Sequence, residues 1–287
     1  MANYYCMIAG LPDIDLQDTK PGMSLEDMRE QCEEQLTEHD KKLLFYFFLH
    51  FDCTNLVRLL KNPKASIDQW GNFSLDQLRD LIASAADVNA NSYPAFMSVF
   101  ARDYSVNKEK AGYFPEDEVT YQFLDYAIRT CPSRMMRRWY KLNLDITNIL
   151  TGLLARKQGW SVGNFIMGDG EVQEMIRENK TKDFNLGLEL DYMPQLMKII
   201  EEEDPVRKEK MIDAFKWIWL DEHTFFEPFS MEAVIAYFCK LEMQQRWAKL
   251  NVEQGKETFQ KIIDDLRSEA RVPEEFKVQG VAQQRTL

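Results

Sequence analysis

One stretch of this sequence occurs twice. Residues 48–60, Phe-Leu-His-Phe-Asp-Cys-Thr-Asn-Leu-Val-Arg-Leu-Leu, align with residues 141–153, Lys-Leu-Asn-Leu-Asp-Ile-Thr-Asn-Ile-Leu-Thr-Gly-Leu, at a constant offset of 93 with five of thirteen positions identical. A weaker third copy lies 97 residues further on, where Tyr237, Leu241, Glu242 and Gln245 stand in place of Tyr140, Leu144, Asp145 and Asn148. Units of about 95 residues predict one helical shape built three times rather than independent domains. The units fall at about 1–105, 106–200 and 201–287 of a single subunit, with 271–287 a loosely held tail. An acid and an amide three positions apart share one helix face. Asp52/Asn55, Asp145/Asn148 and Glu242/Gln245 therefore read as structural polar pairs tying each long helix to its repeat neighbour, with no catalytic use.

Composition supports long helices. Glycine and proline number 12 and 10 of 287 residues, about 8% against about 12% in average usage, too few for the many tight turns of a sandwich or barrel. An apolar fraction of 45% excludes disorder. The net charge of −12 argues against nucleic acid and against an anionic membrane surface. Cys6, Cys32, Cys53, Cys131 and Cys239 form no CxxC pair, which predicts reduced thiols in a cytosolic protein. The opening lacks a basic leader, and no run approaches the roughly 18 uncharged apolar residues of a membrane span, so neither export nor a direct span is expected.

Start and stop signals predict an all-α chain. Residues 3–11, short, aromatic and closed by Pro12, are the one strand candidate, or else an extended arm. Ser24 with Asp27, Thr37 with Asp40 and Ser74 with Gln77 each open a helix, and Asn62-Pro63 stops the second of them. Residues 89–94 read as a loop before a helix from about 94 to 103. Pro115 followed by three acids opens a helix to about Arg129, and Ser133 caps a long one. Residues 158–170 hold four of the glycines and form a loop; shorter helices follow at 171–178 and 193–202, and Asp204-Pro205 starts another. From Ser230 to about 268, positions 234, 238, 241, 245, 248, 252, 255, 259, 262 and 266 give eight apolar residues of ten on one 3.5-residue seam.

Catalytic patterns are missing. His39, His50 and His223 are scattered, without HExxH or Cys/His ligand spacing, and no phosphate-binding loop, GxGxxG or GxSxG occurs. His50, beside the apolar stripe, reads as a hydrogen-bonded core residue. Gly168-Asp169-Gly170 is a weak anion motif, better taken as an inter-helix loop. Glu201 to Asp204 and Asp264-Asp265 read as solvated surface, and Arg134, Arg137, Arg138 and Lys141 as a basic cluster for an acidic partner or for the chain's own carboxylates. Phe45, Tyr46, Phe47, Phe48 and Phe51 read as core or interface. No catalytic residue, cofactor or metal is expected.

Three segments resemble a known family, the C subunit of V-type and A-type ATPases, called d in eukaryotes. They are Tyr4-Tyr-Cys-Met-Ile-Ala-Gly-Leu-Pro12; Leu144-Asp-Ile-Thr-Asn-Ile-Leu150 leading to Ala155-Arg156-Lys157; and residues 229–242, Phe-Ser-Met-Glu-Ala-Val-Ile-Ala-Tyr-Phe-Cys-Lys-Leu-Glu, with Gly255-Lys256 behind. The opening is closest to a divergent bacterial branch of unassigned function whose genes accompany V-type ATPase subunits. The third copy departs from the family's E-I-x-N ending, having Gln244-Gln245-Arg246. The resemblance implies a funnel of three pseudo-symmetric helical lobes. It also implies a non-catalytic central-stalk subunit at the cytoplasmic face of the membrane, between the axle subunits and the proteolipid ring. The other classes are a free-standing helical scaffold and an all-helical metal or isoprenoid enzyme, which needs converging carboxylates.

Overall fold

A computed structural model describes residues 4–16, 22–85, 93–110 and 112–249. Among them are eleven α-helices and no strand: α1 Tyr5–Ala9, α2 Leu25–Gln35, α3 Glu38–Lys61, α4 Leu75–Ser84, α5 Ala95–Asn107, α6 Pro115–Thr130, α7 Arg134–Lys157, α8 Glu171–Glu178, α9 Met193–Glu201, α10 Pro205–Thr224 and α11 Met231–Lys249. Short 3-10 turns lie at Val162–Phe165 and Leu186–Leu188. The fold is all-α, as the start and stop signals predict.

Most helix starts follow from local chemistry. Ser24 and Ser74 close full capping boxes with Asp27 and Gln77, satisfying amides that have no partner inside the helix. Thr37 and Ser133 each accept from the third residue of their helices, Asp40 and Met136. Asp204 accepts from the amides of Val206 and Arg207 ahead of α10, which Pro205 begins. Asp204 is thus a helix cap, and Glu202 pairs with Arg207 at 3.5 Å.

The strand expected at 3–11 is instead the helix α1. No other strand is present among the described residues to pair with it, so its backbone closes locally, Ile8 N–H donating to the Tyr4 carbonyl at 2.9 Å. The Tyr4 N–H donates to the Phe229 carbonyl at 2.8 Å, Tyr5 lies against the Phe229 ring at 4.5 Å, and Met7 is buried. Aromatic density at this end serves docking onto the loop before α11.

The packing order runs around the molecule. α6 packs on α7 and on α3, α5 on α6, α10 on both α9 and α11, and α7 on α8 and α9. Trp139 of α7 meets Trp219 of α10 at 5.6 Å between ring centres. α2 packs on α11, at the far end of the chain, which also reaches α3. One continuous apolar core runs from Tyr4 to Met243. α3 is the one described helix long and apolar enough to cross a membrane, but 61% of its most apolar window is buried inside the protein, the mark of a core helix. Residues 250–268 of the predicted long seam, the tail 271–287, Asp264-Asp265 and most of the loop 89–94 lie outside the described residues. Within α11 the seam holds, with Val234, Phe238 and Leu241 fully buried.

One substitution in the repeat has a structural cause. Gly152 of α7 occupies the place of Leu59 in α3. A Cβ there would lie 2.8 Å from Ile176 Cγ2 and 3.1 Å from Phe184 Cζ. Phe184 fills the space, fully buried, at φ 58°, with the Arg156 guanidinium 3.9 Å from its ring centre. A bulky residue in the left-handed region is strained and is held there by this packing. Gly152→Ala is expected to cost about 1–3 kcal/mol by overpacking, read by denaturant unfolding; no loss would show that Ile176 and Phe184 yield freely.

Candidate functional site

The asparagines of the first two polar pairs perform one construction twice. Asn55 grips a single residue of the loop after α3, its Nδ2 donating to the Asp68 carbonyl at 2.8 Å while its Oδ1 accepts from the Asp68 N–H at 2.7 Å. Asn148 does the same to Met167 after α7, at 3.0 and 2.8 Å. Both asparagines are fully buried. An amide side chain offers one donor and one acceptor side by side, so it can pair with a peptide as a strand neighbour does.

The acids assist. Asp52 accepts from the Asn72 and Phe73 N–H groups at 2.9 and 3.0 Å and from Asn72 Nδ2 at 2.8 Å. Glycine at position 71 is required by this approach, since a Cβ would fall 2.4 Å from Asp52 Oδ1. Asp145 bonds Lys141 Nζ at 2.9 Å and Gln173 Nε2 at 3.4 Å. Burial raises both carboxyls, outweighing the Asn72 and Phe73 donors at Asp52 and Lys141 at Asp145. Asn55, Asp52 and Asn148 therefore tie each long helix to its own following loop, not to the neighbouring repeat, while Asp145 bonds Lys141 of its own helix and Gln173 of α8. Only the third pair crosses between repeats. Glu242 bonds His50 of α3 at 2.9 Å, and Gln245 donates to the Met23 carbonyl at 3.4 Å, just ahead of the Ser24 cap of α2. Gln244 and Tyr237 likewise hold the Asp15 and Pro12 carbonyls at 3.1 and 2.9 Å.

Where α3, α6, α7, α10 and α11 converge lies an open cleft of about 460 Å³. Its walls carry the repeat-equivalent pairs Phe47/Tyr140 and His50/Asn143, with Trp139, Lys216, Glu242 and Arg246. Burial alone would push the His50 imidazole down, but the Glu242 carboxylate and the Phe47 carbonyl outweigh it and raise its pKa. For Glu242, burial pushes upward and His50⁺ outweighs it, leaving the carboxyl below its ordinary value. The His50 contribution is complete below its unfolded value near 6.5 and fades as pH rises through the raised folded value; the Glu242 contribution is complete above about 4.5 and fades below. The link between α3 and α11 is thus strongest between about pH 4.5 and 6.5. Thermal unfolding is expected to show a loss of stability above pH 6.5 that Glu242→Gln reduces; an unchanged slope in the variant would place the titration elsewhere.

The remaining sequence candidates have structural roles. Gly170 caps α8, and Arg177 gathers the preceding loop through the Ile166 and Gly168 carbonyls at 2.9 and 2.6 Å. Arg137 holds the Cys131 and Pro132 carbonyls, Lys141 pairs with Asp145, and Arg134 and Arg138 are exposed. His223 stacks on Trp219. Phe47 and Phe48 are core, and Tyr46 stacks on Tyr126. Cys32, Cys53, Cys131 and Cys239 are buried free thiols; burial pushes Cys32 up to about 12 and Cys131 up to about 11, values at which a thiol is unreactive. Among the described residues no three His, Cys, Asp or Glu side chains group as a metal site.

Residues 1–270 match the family described as "Protein of unknown function (DUF2764)". The chain belongs to this family. No curated protein and no solved structure matches it. For a DUF2764 chain the useful landmarks are those just described: two asparagine clamps, and a cleft where the long helices meet. Sequence reading missed Lys216, Asp213 and Arg246, which come together only through packing. Asp213 is buried and bonded to Arg246 and, at 2.7 Å, to Trp247 Nε1. Its one available signal was an acid on an otherwise aromatic stretch of α10.

Proposed function

We propose that this chain is a non-catalytic central-stalk subunit of a V-type or A-type rotary ATPase, joining the soluble axle subunits to the membrane proteolipid ring and passing torque between them. On this reading it works at the cytoplasmic face of the membrane, held there by the complex. Its three lobes, residues 1–105, 106–200 and 201–287, form a pseudo-symmetric funnel.

The observation that carries the reading is cyclic contact. α3 of the first unit packs on α6 of the second, α7 of the second meets α10 of the third, and α11 of the third packs back on α2 of the first. The same relation repeats until the chain returns to its start, and the cleft lies where the units converge. A torque-bearing adaptor needs a stiff body, and long helices packed along their lengths supply stiffness. Segments 144–157 and 229–242 add the likeness to the stalk proteins of rotary ATPases.

Affinity purification of the tagged chain from its native source, with partners identified by mass, tests the proposal. Recovery with axle and ring subunits is expected. Recovery alone, as a homodimer, or with an unrelated partner overturns it in favour of a free-standing scaffold.

A further inference from the structure

The cleft carries a charge arrangement that the stalk reading does not require. Its carboxylates are committed: Glu242 to His50, Asp213 to Arg246 and Trp247, and Asp68 to the Trp70 N–H at 3.0 Å. Its cations are not all committed. Lys216 lines the cleft one turn after Asp213 on α10, and forms no hydrogen bond or salt bridge with a described residue. A half-buried ammonium that donates no hydrogen bond loses hydration and is only partly compensated by the carboxylates at a distance, Asp213, Glu209 and Glu242. Burial accordingly lowers its pKa, Asp213 opposes the shift and Arg246 adds to it. With His50 protonated, the lining has His50, Lys216, Arg246 and Lys249 against Asp68, Asp213 and Glu242, an excess of one positive charge in a protein of net charge −12.

We propose that this cleft binds a carboxylate-bearing ligand, its anionic group seated on Lys216 and its apolar body against Trp139, Phe123 and Phe51. The shape supports an organic acid over a bare ion, since about 460 Å³ with aromatic walls exceeds what one small anion fills. The same chemistry is offered by a free small acid or by a glutamate on a helical segment of a partner. The inference does not rest on the rotary-ATPase reading and survives its failure.

Calorimetric titration of the full chain at low salt, with phenylacetate and separately with an amphipathic peptide carrying one central glutamate, tests it. One of the two is expected to bind one to one, and the arm that binds identifies the source. Lys216→Met should weaken that binding by about tenfold or more, the scale of one charged hydrogen bond. Lys249→Met, the same change of net charge at the exposed rim, should weaken it far less. Equal losses in the two variants would mean generic electrostatics and overturn the site, as would no saturation by either probe. If Lys216→Met folds poorly, acetylation of Lys216 in the unmodified protein, followed by mass, serves instead: the bound probe should slow it, and an unchanged rate refutes contact.

Discussion

Replacing Asn148 by alanine is expected to lower stability by about 3 kcal/mol. The change deletes two hydrogen bonds and leaves the Met167 N–H and C=O without partners in a part-buried setting. A deleted bond that leaves its buried partner unsatisfied costs about 1–3 kcal/mol with the bond included, and the two here are only part-buried, which places their sum toward the low end. In a chain of this size that is roughly 6–12 °C in midpoint temperature. Asn55→Ala should behave alike, because the grip on Asp68 is the same at equal burial. Thr147→Ala and Thr54→Ala are the controls. Those threonines are also shared by the two repeats, yet each is exposed and merely donates to a carbonyl one turn back, Asn143 or His50, so the expected cost is within about 0.5 kcal/mol. If the threonine and asparagine variants lose the same stability, the identities in the repeat do not mark a common clamp.

That contrast shows what was legible beforehand. Aligning the chain with itself picks out Asp52, Asn55, Asp145 and Asn148, because a helix face shared by an acid and an amide is a local property. What they grip is not local. Asp68 lies 13 residues beyond Asn55 and Met167 19 beyond Asn148, and nothing in the loop sequences announces a backbone waiting to be held. The helices were readable for the same reason in reverse, since caps such as Ser24, Ser74 and Ser133 act within three residues. Residues 3–11 misled because aromatic density suggests a strand when no partner can be seen, and the partner turned out to be the loop around Phe229. The cleft was unreadable: Lys216, His50 and Asn143 come from three helices, and only the packed core brings them to one wall.

Phe238→Ala should have the largest single effect, about 3–5 kcal/mol, the range for emptying a buried aromatic site. Phe238 is fully buried, 5.1 Å from the Phe47 ring centre and 5.6 Å from that of Phe48. Both belong to α3, so the contact joins the last long helix to the first. Its neighbours cannot close in: Phe48 already lies under the Arg29 guanidinium of α2 at 4.3 Å, and Phe47 is set edge-on to Phe48. A cavity therefore persists, with dispersion lost on both sides. Polar support for α11 comes from Gln245, Gln244 and Tyr237, which hold the Met23, Asp15 and Pro12 carbonyls, and from the pH-dependent Glu242–His50 pair. Equilibrium denaturation of the variant, read by tryptophan emission, should show the full loss in the midpoint with the slope retained if the units unfold together. A reduced slope, with α11 lost first, would mean that the third unit opens alone. A cost under about 2 kcal/mol would show that α2 and the His50–Glu242 pair hold α11 to α3 without the aromatic cluster.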